Sequence, residues 1–112
     1  MIKVSIARDS TGFIRCITIK GHAGYGRYGE DIVCAAVSVT AYTAAGALQD
    51  LAGIEGCYVE KDGYMRISVP GDISGEQKQT ARIILETASI GLKQIEMEYG
   101  DYVSVTDEEV LA

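Results

Sequence analysis

"GHAGYGRYGEDIVCAA", residues Gly21 to Ala36, holds the chain's only histidine, His22, and one of its three cysteines, Cys34. Within it, Gly24-Tyr25-Gly26-Arg27-Tyr28-Gly29 spells G-x-G-x-x-G, the fingerprint of a dinucleotide-binding βαβ unit. The reading of this stretch decides the fold. As a nucleotide loop it requires a doubly wound parallel sheet; as a loop that carries a histidine toward a cysteine it does not.

The flanks argue against the nucleotide. Residues 2–8 alternate, with Ile2, Val4 and Ile6 on one face and Lys3, Ser5 and Ala7 on the other. Asp9-Ser10-Thr11-Gly12 is a turn, and Phe13 to Lys20 is a second β-rich run, so the strand entering the glycine loop is the second half of an antiparallel hairpin. Downstream comes another hairpin instead of the repeated crossover that builds a nucleotide crevice.

After the loop, Val33, Val37, Thr40 or Ala41, Ala44, Leu48 and Leu51 recur at helical spacing, which predicts a helix from about Asp31 to Ala52. No charged residue lies between Asp31 and Asp50, so the helix is apolar nearly all round and is expected to be covered on more than one side. One side can face the sheet and another a second subunit, so a dimer is expected; deep burial within one protomer would leave the same pattern. Gly53 and Gly56 end the helix. Cys57-Tyr58-Val59 and Tyr64 to Val69 then flank Lys61-Asp62-Gly63. A three-residue loop with Gly63 left-handed pairs Val59 with Met65 and keeps one apolar face; a two-residue turn sets Val59 opposite Arg66. The three-residue loop is expected.

Pro70 and Gly71 break that strand, and Ser74-Gly75-Glu76-Gln77 reads as a capping box opening a helix to about Tyr99, with Ala81, Ile84, Leu85, Ala88, Leu92 and Ile95 as its inner stripe. Tyr102 to Thr106 is a short final strand, and Asp107-Glu108-Glu109 begins a frayed acidic tail. The expected fold is α+β: two layers, two helices on a largely antiparallel sheet, in the order ββαββα(β). With 112 residues this is a single domain, 1–112.

Composition bounds the function. A hydrophobic fraction of 47% and a charged fraction of 23% are those of an ordinary globular chain. A formal net charge of −6 weighs against direct nucleic-acid binding, which needs a basic surface, and would attract a cationic polypeptide. No run approaches the roughly 18 consecutive apolar residues of a membrane span, and the first residues lack the features of a signal peptide. Three cysteines in no metal-ligand spacing suit a reducing cytoplasm.

Chemistry concentrates at the start of the first helix. If Asp31 is the N-cap, Cys34 falls in the first turn, where free N–H groups and the positive end of the dipole favour a thiolate. His22, twelve residues earlier on a loop rich in glycine, is the one histidine able to act as its base. Asp31 reads either as the helix cap or as the carboxylate that orients His22. Ser38, one turn beyond Cys34, can bond the sulfur, a substrate group or its own helix carbonyl. Backbone N–H groups opening this helix are candidate oxyanion donors. Tyr25 and Tyr28 are either groove walls or exposed loop residues, and Cys16 and Cys57 are packing residues in strands.

Gly21-His22-Ala23-Gly24, with Gly29-Glu30-Asp31-Ile32-Val33-Cys34-Ala35-Ala36-Val37-Ser38, resembles the signature of the ribosomal-processing cysteine protease Prp family: G-H-A-x-x-G, then D-I-V-C-A-x-[VI]-S. The resemblance implies a cytoplasmic, homodimeric cysteine endopeptidase that removes the N-terminal extension of large-subunit ribosomal protein number twenty-seven. It implies Cys34 as nucleophile and His22 as base, with Asp31, Ser38 and Gly21 in supporting or substrate-binding positions, and no metal or cofactor. Gly24, Gly26 and Gly29 are expected to make the loop a gate that orders around substrate. Two other readings keep the same loop: a non-catalytic ribosome-associated peptide-binding module, and a thiol redox sensor, for which no resolving cysteine lies nearby in sequence.

Overall fold

The computed structural model describes residues 1–109. Its order is β1 (Ile2–Arg8), β2 (Ile14–Lys20), α1 (Ile32–Asp50), β3 (Tyr58–Lys61), β4 (Tyr64–Ser68), α2 (Gly75–Tyr99) and β5 (Val103–Glu109). The strands form one sheet, ordered β3-β4-β2-β1-β5. Three of its four pairings are antiparallel; β5 runs parallel to β1, with Ile2 opposite Val103 and Val4 opposite Val105. The expected α+β architecture is the observed one.

Both helices lie on one face of the sheet. Ile2, Val4 and Ile6 of β1, Ile17 and Ile19 of β2, Ile67 of β4 and Val103 of β5 point into a single core. Val33, Val37, Ala41, Ala44 and Leu48 of α1 and Ala81, Leu85, Ala88 and Leu92 of α2 close it from above. Each fully buried isoleucine or leucine contributes about 2–3 kcal/mol of hydrophobic stabilisation. Ser74 and Gln77 make both bonds of the capping box at the start of α2. The other sheet face, with Lys3, Cys16, Thr18 and Arg66, is not covered by either helix. By length and composition α1 could cross a membrane, contrary to the expectation that no segment comes near this. Ser38, Thr40 and Thr43 interrupt its apolar run, and its inner side is packed into the core.

Two local expectations are overturned. The β3–β4 connection is a two-residue turn, Asp62-Gly63, which pairs Lys61 with Tyr64 and Val59 with Arg66. Gly63 is left-handed as expected, with φ +66°. The apolar-face argument fails because β3 is the edge strand: Val59 lies on the uncovered face beside Arg66, and Tyr58 and Glu60 lie on the helix side with Ile67 and Met65. The acidic residues after Thr106 are not a frayed tail either. β5 continues to Glu109, and Asp107 accepts from Arg8 Nε at 3.2 Å and pairs with Lys93 at 2.7 Å. Arg8 in turn reaches Glu86 of α2 at 2.6 Å, so these charges bind the strand to its neighbours. Cys57 is buried one residue before β3, and burial pushes its thiol pKa up; Cys16 lies in β2.

Candidate active site

Helix α1 begins at the site. Asp31 is its N-cap, with φ −84° and ψ 111°, and Oδ1 accepts the N–H groups of Val33 at 2.9 Å and Cys34 at 3.0 Å. Oδ2 reaches the other way, to the N–H groups of Tyr25 at 2.9 Å and Gly26 at 3.0 Å. One carboxylate thus starts the helix and fastens the middle of the glycine loop to it. Desolvation raises the Asp31 pKa, but the four N–H bonds from Cys34, Gly26, Tyr25 and Val33 outweigh it and hold the group below the ordinary carboxylate value. Both oxygens are occupied by backbone, so capping, not orientation of His22, is what Asp31 does here.

Cys34 is the third residue of α1 and half-buried. Its sulfur accepts the N–H of Ala23 at 3.3 Å, which brings the residue beside His22 directly onto the thiol. The expectation that the helix's first N–H groups serve as oxyanion donors fails in part: those of Val33 and Cys34 are held by the Asp31 side chain, and that of Ala35 by the Asp31 carbonyl at 3.0 Å. The N–H aimed at the sulfur comes from the loop instead. Ser38 follows one turn later. Thr40 and Thr43 bond back to the carbonyls of Ala36 and Val39, but among the described residues the Ser38 hydroxyl has no such bond, and Ser38 lines the cleft.

Gly21 brings the end of β2 against the second hairpin. Its N–H bonds to the Gly63 carbonyl at 2.9 Å, its φ is +94°, and a Cβ there would collide with the Met1 carbonyl oxygen. Only glycine fits this crossing. His22 follows and lies over the Asp62-Gly63 turn: Nε2 is 3.7 Å from Asp62 Oδ1, and a Cβ on Gly63 would stand 3.2 Å from Nε2. Tyr28 meets the imidazole edge-on, with ring centroids 5.7 Å apart. Among the described residues no hydrogen bond joins His22 to Cys34; the two line the same cleft.

That cleft has two lobes. One, of about 450 Å³, runs between α1 and the β3–β4 hairpin and includes Gly21, Tyr42, Glu60, Asp62 and Tyr64. The other, of about 330 Å³, lies under the loop and includes Gly24, Gly26, Gly29 and Asp31. His22, Tyr28, Cys34 and Ser38 line both. The structure therefore collects His22, Cys34, Asp31, Ser38 and the four loop glycines, Gly21, Gly24, Gly26 and Gly29, into one region. Tyr25 is the exception among the loop tyrosines: it packs edge-on against Tyr99 and Tyr102, at 5.5 and 5.1 Å, away from the groove that Tyr28 walls. What the sequence did not reveal is the hairpin wall, Glu60 to Tyr64. Its nearness to His22 comes from the Gly21–Gly63 bond, a contact with no local signal. Among the described residues no group of three His, Cys, Asp or Glu side chains is arranged to hold a metal.

The cleft thus brings together a thiol that accepts a backbone N–H and the chain's only imidazole, the residue types that acyl transfer by a cysteine uses. A model of the family described as Cysteine protease Prp matches residues 1–104. The chain belongs to the cysteine protease Prp family. It is 32% identical over 108 residues to the ribosomal processing cysteine protease Prp of Bacillus subtilis, covering 95% of this chain and 96% of that protein. A crystal structure of Prp from S. aureus with a covalently linked product peptide superposes with a TM-score of 0.84, at 28% identity, over 96% of this chain and 100% of that one. The S. aureus Prp structure with a substrate peptide gives 0.80, at 27% identity and the same coverage. As a Prp, this chain is a cysteine protease.

Proposed function

We propose that this Prp is a cytoplasmic endopeptidase that removes the N-terminal extension of large-subunit ribosomal protein number twenty-seven, with Cys34 as nucleophile and His22 as its proton carrier. The observation that carries the reading is the shared cleft. Cys34 stands in the first turn of α1 with an N–H on its sulfur, and the chain's only histidine lines the same two lobes.

The proposed steps are those of a thiol and an imidazole acting as a pair. His22 takes the thiol proton, and Cys34 Sγ attacks the scissile carbonyl carbon to form a tetrahedral adduct. The adduct collapses to a thioester as the imidazolium gives its proton to the departing amine. His22 then takes a proton from water, whose oxygen attacks the thioester and releases the acid and the thiol. The Ala23 N–H supports negative charge on the sulfur side of the site. In this structure His22 lies against the hairpin, so the reaction requires the imidazole to approach Cys34 once a peptide fills the groove. The linked product peptide in the S. aureus Prp structure supports covalent catalysis in the family.

The net charge of −6 suits a cationic ribosomal protein as substrate and disfavours direct contact with nucleic acid. A homodimer would cover apolar side chains that one protomer leaves exposed, among them Ile32, Val39 and Leu51 of the α1 segment. The test of the function is direct. Incubated with the extended ribosomal protein, the wild-type chain should release one N-terminal peptide of defined mass, and Cys34→Ala should release none. Intact substrate with the wild-type chain would reject this ribosomal protein as the substrate.

A further inference from the structure

We propose that Asp62, on the tight turn between β3 and β4, is the positioning residue of the catalytic histidine. The inference rests on the Cys34–His22 reading and adds to it a third member that comes from the second hairpin instead of from the start of α1.

Three observations converge on the imidazole. Nε2 faces Asp62 Oδ1 at 3.7 Å, within ion-pair range though longer than a direct hydrogen bond. The ring meets Gly63 through that same edge: a Cβ there would lie 3.2 Å from Nε2, 3.7 Å from Cδ2 and 3.9 Å from Cε1, which leaves Nδ1 on the far side of the ring. Tyr28 closes over the pair, edge-on to the imidazole and with its hydroxyl 3.5 Å from Asp62 Oδ1. The turn is itself held to the start of the loop by the Gly21–Gly63 bond at 2.9 Å. Asp31 is excluded from the role, because backbone N–H groups fill both its oxygens.

The arrangement divides the labour of the two ring nitrogens. Nε2 carries its proton toward Asp62, and Nδ1 is left to exchange a proton with Cys34. When Nδ1 accepts the thiol proton the ring becomes an imidazolium, and the Asp62 carboxylate faces the new charge without taking the proton itself. The side chains of His22 and Asp62 are 52% and 78% exposed in the free protein, so water screens the pair and its effect is modest until a peptide covers the groove. Glycine after Asp62 suits both the turn, whose φ there is +66°, and the ring, on which a Cβ would press at 3.2 Å from Nε2.

The test compares Asp62→Ala and Asp62→Glu in the wild-type and His22→Ala backgrounds, by cleavage of the extended substrate and by the alkylation rate of Cys34 with iodoacetamide. Cys16 and Cys57, read by peptide mass, serve as internal references. Asp62→Ala should lower kcat roughly three- to tenfold with KM within about twofold, and should slow Cys34 alkylation by a similar factor. Asp62→Glu should recover most of both. In the His22→Ala background Asp62→Ala should change Cys34 alkylation by less than about 1.5-fold, because its effect passes through the ring. An unchanged or faster rate for Asp62→Ala, or an equal effect with and without His22, would overturn the assignment. Wild-type cleavage by His22→Ala would instead overturn the Cys–His reading beneath it, so the two failures are distinct.

Discussion

Asp31 holds the N–H of Cys34 at 3.0 Å with one carboxylate oxygen and the N–H of Gly26 at 3.0 Å with the other. The proposed nucleophile and the loop that bears the histidine are thus fixed to a single side chain. Asp31→Ala loses the cap and the loop fastening together and should cost about 2 kcal/mol by urea unfolding. Asp31→Asn is the sharper probe. Its one carbonyl oxygen can serve the helix or the loop, while its NH₂ group faces N–H donors on the other side. It should cost about 1 kcal/mol in stability and lower cleavage by more than that loss explains. Equal activity in Asp31→Asn and wild type would show that the loop fastening is dispensable.

Acid should expose the same link. The folded Asp31 carboxyl lies below its ordinary value of 3.8, so the unfolded chain binds the extra proton and stability rises with pH. The contribution is complete above the unfolded value and is lost as pH falls through the lower folded one. Asp107, lowered mainly by its bond to Lys93, and Asp9, lowered mainly by its bond to Thr11, act in the same direction. Urea midpoints should therefore be level above about pH 5 and drop below about pH 4, less steeply in Asp31→Asn than in wild type. The same slope in both proteins would remove Asp31 from the acid response.

Cleavage should require Cys34 and His22 unequally. Cys34→Ala removes the attacking atom and should give no turnover, while its melting temperature stays within a few degrees of wild type, since only a half-buried sulfur is lost. His22→Ala keeps the nucleophile without a proton carrier and should lose about 10²–10⁴-fold in kcat. Wild-type rates in either variant would refute the pair.

Much of this was legible from residue order. The period-2 run of β1, the β-rich run of β2 and the helical spacing of α1 and α2 survive because each element has one buried side. Asp31 and Ser74 were readable as caps because capping is local. The β3–β4 register was not, because an argument from alternating burial presumes a covered face, and Val59 lies at the edge on the open one. β5 was cut short because its acidic end is stabilised by Arg8, ninety-nine residues away from Asp107, where no local pattern could show it. Asp62 reads from the sequence as a turn residue for the same reason: His22 reaches it through the β2–β4 pairing, which ends with Lys20 opposite Tyr64 and is extended by the Gly21–Gly63 bond.

The exposed apolar residues of the helix layer make the oligomer testable. Val39 is 60% exposed in one protomer, and Ile83, Ile90 and Met97 of α2 are also open. Light scattering at micromolar concentration should give about twice the 12.0 kDa of one chain. Val39→Lys should shift the mass toward the monomer while the circular dichroism spectrum stays unchanged. A wild-type mass near 12.0 kDa would reject the dimer.

The loop should order around substrate, but over a shorter span than its glycines suggest. Four ties already hold its first half: Gly21 to Gly63, Ala23 to the Cys34 sulfur, and Tyr25 and Gly26 to Asp31. Tyr25 is further seated between Tyr99 and Tyr102. Beyond Gly26 the ties thin out: Glu30 bonds to Arg27 within the loop, and Tyr28, 83% exposed, leans on His22. Ordering a glycine costs more backbone entropy than ordering other residues, so a segment ending in Gly29 closes only when a bound peptide supplies the compensating contacts. Closure would carry Tyr28 over the groove and move the imidazole it touches toward Cys34, which couples substrate recognition to assembly of the site. Hydrogen exchange on Cys34→Ala can measure this. Amides from Arg27 to Glu30 should exchange quickly in the free protein and slow at least tenfold with an uncleaved substrate peptide bound, while Tyr25 and Gly26 are protected in both states. Uniform protection before and after binding would mean a rigid site, whose selectivity must then come from the walls of the cleft.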